Sequence, residues 1–443
     1  MKFSQYNVLF KIDEDGYIIN TKNGKYVRFS KQEDKDHYNS LVDNEDQLSL
    51  EDDMVKALYE KNFIVDNDVD EYGEVKKELE KIYKDQDDCL DMFFYVTDNC
   101  NFRCKYCPQE HLPNKMSDEL WGGIYKYIEN GLKTEKFHYI RLSFFGGEPL
   151  LESKKIIAFL KKIKTLEERF PGCRGLYSIT TNGYLLTPKL YDELVNLGVL
   201  SYQITVDGFA ETHDKIRPLA DGSGNWETVM ENVKYIASKK DEARVIFRTN
   251  VNNNMEEARL KEWFDWCMKN LPKEKFHIST SSVVPFSDLT DKTLVLDRTK
   301  EEKQKMMYNL FKQTEEQNFD HLSDILRYNS GACESAKKYY YSVATDGRVS
   351  KCQAQHIKEG IWIGKITPEG KMVFDCDIKD WEEFEYEACK TCTAYPICAG
   401  RTCPYKKNVF APYGRRYDCE LYSESFVDLL KGAIKEGIGK KCS

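Results

Sequence analysis

From residue 91 onward, short apolar runs and longer amphipathic stretches alternate along the chain. The runs are Met92–Val96, Ile140–Phe145, Leu176–Thr181, Tyr202–Val206, Val245–Phe247 and a last one near Ile278–Val284. Between them, apolar residues recur at helical spacing. One such stretch holds Trp121, Ile124, Tyr125, Ile128 and Leu132; another holds Ile156, Ile157, Leu160 and Ile163; a third holds Trp226, Val229, Val233 and Ile236. Strands alternating with helices predict a parallel sheet covered by helices, because each parallel pair needs a crossover between its strands. Short apolar strands suit burial on both faces. Ligands of such folds gather at the carboxyl ends of the strands.

The chain before this series reads differently. Tyr6–Ile12 predicts a strand, and Gly16–Asn20 and Lys25–Phe29 flank Asn23-Gly24, a strong hairpin turn signal. Ser30 is a candidate cap for a following helix. A second helix is expected over Leu50–Lys61, with Met54, Leu58 and Tyr59 at helical spacing, leading into a short strand at Asn62–Val65. Residues 1–66 thus predict a small winged-helix module. Residues 67–90 begin with a very acidic, lysine-rich stretch, expected to be a solvated helix or linker at a domain boundary. The strand–helix series occupies 91–330. From 331 to 443 the periodicity weakens and cysteines, tyrosines and lysines accumulate, as in a domain held by metal ligands rather than by a large core.

Composition narrows the function classes. The 443 residues are 41% hydrophobic and 13% aromatic, which rules against disorder. With 65 basic against 74 acidic residues, a net charge of −9 and no long basic run, nucleic acid is disfavoured as the main partner. The first residues carry no secretory signal, and no stretch approaches a membrane span. A cytoplasmic location, with reduced thiols, is therefore expected. Fifteen cysteines in that compartment point to metal, because ten of them fall into two spaced groups. Cys89, Cys173, Cys267, Cys376 and Cys442 lie outside both; Cys267 shares an apolar helix face with Leu260, Phe264 and Leu271 and is expected in the core.

The first group is Cys100, Cys104 and Cys107, on the loop after the first strand of the series. Three thiolates can hold three irons of a four-iron cluster and leave the fourth open, as catalysis at a metal centre needs. Zinc is the alternative, with His111 a conceivable fourth ligand. The C-x3-C-x2-C spacing, with the aromatic Tyr106 before the last cysteine, resembles the radical S-adenosylmethionine (SAM) superfamily. The resemblance implies a partial (β/α)6 TIM-like barrel. It also implies that SAM chelates the open iron and, on reduction, yields a 5′-deoxyadenosyl radical that abstracts hydrogen from a substrate.

Later strands carry matching motifs. Gly146-Gly147-Glu148-Pro149 ends the second strand; glycines permit close backbone approach to a ligand, and Glu148 can accept from an ammonium group. In the family this motif holds the cofactor's amino group. Asn182, in Thr181-Asn182-Gly183, ends the third strand, where an ordinary Asn-Gly turn is nearly as good a reading as a cofactor contact. Thr205 and Arg217, twelve residues apart, match the family positions that contact the cofactor's ribose and carboxylate, and Arg suits a carboxylate because its fork binds bidentately. His213 and Asp214 are expected to be structural. Arg248 and Asn250, on the fifth strand, point to the same end.

The second group is Cys333, Cys352, Cys389, Cys392, Cys398, Cys403 and Cys419. It resembles the SPASM domain, which carries two auxiliary iron–sulfur clusters; a zinc-ribbon-like domain is the alternative. The spacing between Cys398 and Cys403 is one residue longer than the family's. The resemblance implies that Cys389, Cys392, Cys398 and Cys419 bind a distal cluster. Cys333, Cys352 and Cys403 would bind a proximal one, which Cys376 or another group completes unless one iron is open. The cofactors so implied are three 4Fe-4S clusters and SAM.

The combination resembles enzymes that mature ribosomally made precursor peptides. The hairpin edge of residues 1–66 could take a leader peptide as an added strand. The expected reaction is a cross-link, thioether in preference to carbon–carbon, with a flavodoxin or ferredoxin as reductant. Sulfatase maturation to formylglycine is a rival, but Gln353 stands where that family has an acidic base. Peptide epimerisation and a non-catalytic iron–sulfur scaffold are further alternatives; the intact cysteine triad with Gly146-Gly147-Glu148 speaks against the scaffold.

Overall fold

The computed structural model describes residues 1–283, 289–295, 334–353, 362–378 and 387–399, with Val427, Leu430, Lys431 and Ile434. The described residues fall into two compact units. One comprises 1–86, 334–337 and the described residues from 387 onward; the other comprises 87–283, 289–295, 338–353 and 362–378.

In the first unit, β1 (Lys2–Phe3) pairs antiparallel with β5 (Ile64–Val65). Strands β2 (Asn7–Ile12), β3 (Asp15–Asn20) and β4 (Tyr26–Phe29) form an antiparallel sheet in that order. Asn23-Gly24 makes the expected turn, with Gly24 at φ 70°. Helix α1 (Gln32–Asp43) begins one residue later than a Ser30 cap allows: Lys31 is the N-cap and its side chain makes no capping bond. Helix α2 (Asp53–Glu60) is capped by Asp52, whose carboxylate accepts from the N–H groups of Met54 and Val55. Val55 and Leu58 of α2 pack with Ile18, Phe29, Tyr38 and Phe63.

The acidic stretch expected to be solvated is a packed helix, α3 (Glu71–Gln86). Val75 and Leu79 are buried in a core shared with Tyr6, Ile19, Tyr395 and Leu430. Glu71 is buried too, its two oxygens accepting from Ser4 Oγ (2.6 Å) and the Gln5 N–H (2.9 Å). The segment 387–399 therefore shares a core with residues 1–86 rather than with the rest of the cysteine-rich region.

The second unit is built on six parallel strands in sequence order: β6 (Cys89–Thr97), β7 (Tyr139–Gly146), β8 (Arg174–Thr181), β9 (Val199–Thr205), β10 (Arg244–Val251) and β11 (Phe276–Ser282). The crossovers carry α4 (Asp118–Lys133), α5 (Ser153–Arg169), α6 (Pro188–Asn196), α7 (Ala210–Ile216), α8 (Trp226–Ser238) and α9 (Glu257–Asn270). Alternate strand residues are buried on the helix side, as Val245, Phe247, Thr249 and Val251 are on β10. Cys267 of α9 is fully buried beside Leu260 and Phe264, the core role expected for it.

The sheet does not stop at β6. Strand β12 (Tyr340–Val343) adds parallel to its free edge, followed by antiparallel β13 (Arg348–Ser350), β14 (Gly364–Ile366) and β15 (Met372–Phe374). An uncovered β6 would expose a row of unpaired peptide groups. Residues 340–353 and 362–374 thus continue the strand–helix unit instead of opening a separate domain at 331.

Because α3 is packed, Leu79→Ala should lower the stability of its unit by about 2–4 kcal/mol. Glu80→Ala, on the exposed side of the same turn, should change it by less than about 0.5 kcal/mol. Denaturant midpoints followed in the first unit check this pair. Equal effects would return α3 to the status of a linker.

Candidate active site

At the end of β6 the chain leaves the sheet through Asp98 and Asn99 into the cysteine loop. Gly147 N–H donates to the Thr97 carbonyl (2.8 Å) and Glu148 N–H to that of Asn99 (2.9 Å), so the loop rests on the end of β7. A Cβ on Gly147 would stand 2.2 Å from the Asn99 carbonyl oxygen, and one on Gly146 2.3 Å from that of Thr97. Gly146 also has φ 142°. The close approach that these glycines permit is thus between two strand ends of the chain itself. On its other side the loop is tied to the end of α7 and the residues after it, by Lys105 N–H to the Ile216 carbonyl (2.9 Å) and Arg103 N–H to that of Pro218 (2.8 Å).

Cys100, Cys104 and Cys107 all line one cavity of about 630 Å³. Side chains from all six parallel strands line it as well: Tyr95, Phe145, Thr180, Gln203, Arg248 and Ser281 are one from each. A flat sheet of six strands would spread over roughly 24 Å. The sheet therefore curves around the cavity as a partial barrel, with the cysteines at its carboxyl end.

Glu148 is buried just behind this wall. Its Oε1 accepts from Thr181 Oγ1 (2.7 Å) and the Leu150 N–H (3.0 Å), and its Oε2 from the Asn182 N–H (2.8 Å). Burial pushes its carboxyl up to about 7, against those three hydrogen bonds. The residue expected to meet an ammonium group is thus pre-oriented and short of a cation. Asn182 lines the cavity, and its Nδ2 reaches Asn101 Oδ1 (2.8 Å) and Cys100 Sγ (3.9 Å). It serves the cysteine loop in addition to any turn.

Tyr106 is the hub of the opposite wall. Its hydroxyl donates to Asp207 Oδ2 (2.5 Å) and accepts from Asn250 Nδ2 (2.9 Å) and Arg217 Nη1. Asp207 also accepts from the Asn250 N–H (2.7 Å). Arg217 is buried, 3.9 Å from Asp207, and its Nε has no hydrogen-bond partner among the described residues. Sequence reasoning missed Asp207 as a site residue and left Asn250 without a role. The available signal was polarity at the end of a buried strand. Thr205 lines the cavity beside Arg217. His213 is structural, as expected: Nδ1 accepts from the Asp207 N–H (3.1 Å), which places the proton on Nε2, facing Asn225 Oδ1 (3.0 Å). Burial drives its pKa down to about 3, so it stays neutral. Asp214 accepts from the N–H groups of Asn225 and Trp226 at the start of α8.

Burial pushes the Cys100 and Cys104 thiols up to about 12 and raises Cys107 as well. Such thiols ionise when a metal takes the charge. Among the described residues, no three His, Cys, Asp or Glu side chains converge on a point that one ion could occupy. The ligands of a mononuclear zinc ion would have to converge on one point, whereas thiolates on a cluster each bind a separate iron. Three thiols around one cavity, with an unspent buried guanidinium Nε and a pre-oriented carboxylate, fit a cluster and an amino-acid-bearing cofactor.

Of the second cysteine group, Cys352 lies just after β13, and Cys389, Cys392 and Cys398 lie in the first unit, the last two buried. Cys333, Cys403 and Cys419 are outside the described residues. Cys376 is exposed.

Residues 94–267 match the Radical SAM superfamily. The radical SAM cyclopropyl synthase TigE of Paramaledivibacter caminithermalis is 28% identical over 225 residues, 46% of this chain and 46% of that protein. A cysteine-type anaerobic sulfatase-maturating enzyme of Clostridium novyi is 26% identical over 177 residues, 38% of this chain and 46% of that protein. The chain thus spans about half the length of the curated relatives it matches. Among solved structures, native anSMEcpe with bound AdoMet and a peptide aligns with TM-score 0.60 at 18% identity, covering 79% of this chain and 97% of that one. Streptococcus suis SuiB bound to precursor peptide SuiA aligns with TM-score 0.50 at 14% identity, covering 91% and 95%. At those identities the structural likeness speaks for the fold alone. Fold, superfamily match and the placement of the three thiols agree: this chain carries a radical SAM domain, and with it a site for a 4Fe-4S cluster and SAM.

Proposed function

We propose that this chain is a radical SAM enzyme that matures a ribosomally made precursor peptide. The observation that carries the reading is the cavity itself. It joins the three thiols and the expected SAM contacts Thr205, Arg217 and Asn182 to a lumen walled by all six strands. Cys100, Cys104 and Cys107 would hold the cluster, Glu148 would face the cofactor's ammonium and Arg217 its carboxylate. Bound there, cluster and cofactor supply a 5′-deoxyadenosyl radical. The chain's own residues hold that chemistry in place and shape the space for a substrate carbon.

A peptide substrate is supported by the relatives: the structures aligned above hold peptides, and the curated relatives are a cyclopropyl synthase and a sulfatase-maturating enzyme. The first unit supports it too. In a winged-helix reading, edge strand β2, with Leu9 half exposed, offers a leader peptide a strand to pair with. The second cysteine group, read as SPASM, would hold two auxiliary clusters. A proximal cluster ligated by Cys333, Cys352 and Cys403 alone would keep an iron for a substrate thiolate, which favours a thioether product over a carbon–carbon link. A flavodoxin or ferredoxin would supply electrons.

Sulfatase maturation is the second reading, favoured by the relative from Clostridium novyi. Gln353 weighs against it: the residue lines the cavity, where that chemistry wants an acid, and an amide cannot take up a proton there.

The test is mass spectrometry of a Cys-bearing peptide encoded beside this chain, incubated with reduced, cluster-loaded enzyme and SAM. A loss of two hydrogens is expected; unchanged mass with an inverted centre would mean epimerisation, and absence of 5′-deoxyadenosine would refute the radical reading. Gly147→Ala provides a second check. Its methyl group meets backbone, so the cysteine loop must shift. Iron bound at the first centre should fall below the wild-type level while far-UV circular dichroism is kept; undiminished iron would sever the glycines from the cluster.

A further inference from the structure

The lumen has two unlike walls. On β6 and β7, Phe93, Tyr95 and Phe145 pack edge-on and tilted, with ring centroids 5.1–5.8 Å apart. On β8 to β11 the facing side chains are polar, and among them stands Arg248. Among the described residues, the only charged side chains lining the cavity are Arg217 and Arg248; no Asp or Glu lines it.

The arginines of this barrel differ in how their charge is met. Arg141, lower on β7, pairs with the buried Asp91 at 2.8 Å. Arg217 has Asp207 and the Tyr106 hydroxyl. Among the described residues, the one hydrogen bond of Arg248 is to Asn250, whose Oδ1 accepts from Nε at 3.0 Å; its two terminal amino groups make none there, and no described carboxylate forms an ion pair with it. That single bond fixes the plane of the guanidinium and leaves the fork free. Burial is the main effect that works against the cation; the nearby Tyr106 and Asp207 favour it without offsetting that burial, and the Arg217 charge adds to the lowering.

Position says what the fork is for. Arg248 is the register partner of Thr205 on the adjacent strand, roughly 4.8 Å away. Thr205 is the expected contact of the cofactor's ribose. A group held by Arg248 would lie next to the carbon that takes hydrogen. The cofactor brings one carboxylate, and Arg217 with its orphaned Nε is placed for it. Arg248 is then left for an anion that arrives with the substrate.

We propose that Arg248 anchors a carboxylate of the peptide substrate, from an Asp or Glu side chain or a C-terminus adjacent to the residue that loses hydrogen. The inference rests on the peptide-maturase reading and adds a substrate class to it: an acidic site flanked by a residue suited to the aromatic wall.

The test uses the cluster-loaded full chain with saturating SAM and three probes: acetyl-Ala-Asp-Ala-amide, acetyl-Ala-Asn-Ala-amide, and acetyl-Ala-Asn-Ala with a free carboxyl end. Binding is read by saturation-transfer NMR of the acetyl methyl. A carboxylate-bearing probe should bind roughly tenfold tighter than the neutral one, as a charge-assisted bidentate bond allows. Comparing the first and third probes tells a side-chain acid from a chain end. Arg248→Gln should abolish the preference and leave SAM affinity within about twofold, a change too small to matter at 1.4 kcal/mol per decade. Arg248→Lys should keep part of the preference. Equal binding of all three probes to wild type, or loss of SAM binding in both variants, overturns the proposal; the latter would give Arg248 to the cofactor. If no peptide is modified and no SAM is cleaved while the probes still discriminate through Arg248, it is the maturase reading that fails and the anion site that stands.

Discussion

The site depends on one close approach, that of the β6 and β7 ends. Two backbone hydrogen bonds lay the cysteine loop across Gly146-Gly147, and neither glycine has room for a methyl group. Once that contact is made, Cys100 is buried at the rim of the barrel, and Glu148, the next residue, is turned inward toward the end of β8. Three strand ends are thereby locked together by backbone atoms and one carboxylate. Backbone contacts have no rotamers to lose, so thiols positioned this way are held more rigidly than a free loop could hold them.

The opposite wall is held by side chains. The Tyr106 hydroxyl gathers Asp207, Asn250 and Arg217, residues 101, 144 and 111 positions away in the chain. No local window of sequence could display such a hub, because its members become neighbours only when β9 and β10 pair in register. The motif spacing identifies Tyr106, Thr205 and Arg217 one at a time. What it leaves out is that Asp207 and Asn250 make them a single network, charged but internally balanced before any ligand arrives.

Where the sequence was legible, burial of the helix-covered face made it so. The six strands read as apolar runs because alternate residues are buried beneath the helices and several of the residues between them are apolar too. Strand β10 shows the limit: its apolar pattern suggests Val245–Phe247, whereas the strand runs Arg244–Val251. The run breaks where Arg248 and Asn250 turn to the cavity, so the functional residues themselves hide the strand's length. Helix α3 failed for the opposite reason. Its glutamates and lysines suggest a solvated linker, yet Tyr72, Val75, Leu79 and Tyr83 recur at steps of three and four residues, and this narrow stripe is what packs. Composition outweighed periodicity there, and periodicity was right. The division of the cysteine-rich region was invisible for a third reason. Strand β12 is four residues long, and only the bare edge of β6 explains why it pairs there.

The charge of the whole chain says nothing about the charge of its cavity. The net value is −9, yet the described lining holds two arginines and no acid. Surface carboxylates are screened within about 10 Å at ordinary ionic strength, so they cannot offset a cation inside a partial barrel. Compensation has to come from groups within hydrogen-bond reach. For Arg217 the chain provides it, through Asp207 and Tyr106; for Arg248 the described residues provide one hydrogen bond, to an amide oxygen, with Asp207 and Tyr106 acting only through space. An arginine fork held by one amide oxygen beside Thr205 suits a ligand that brings its own negative charge.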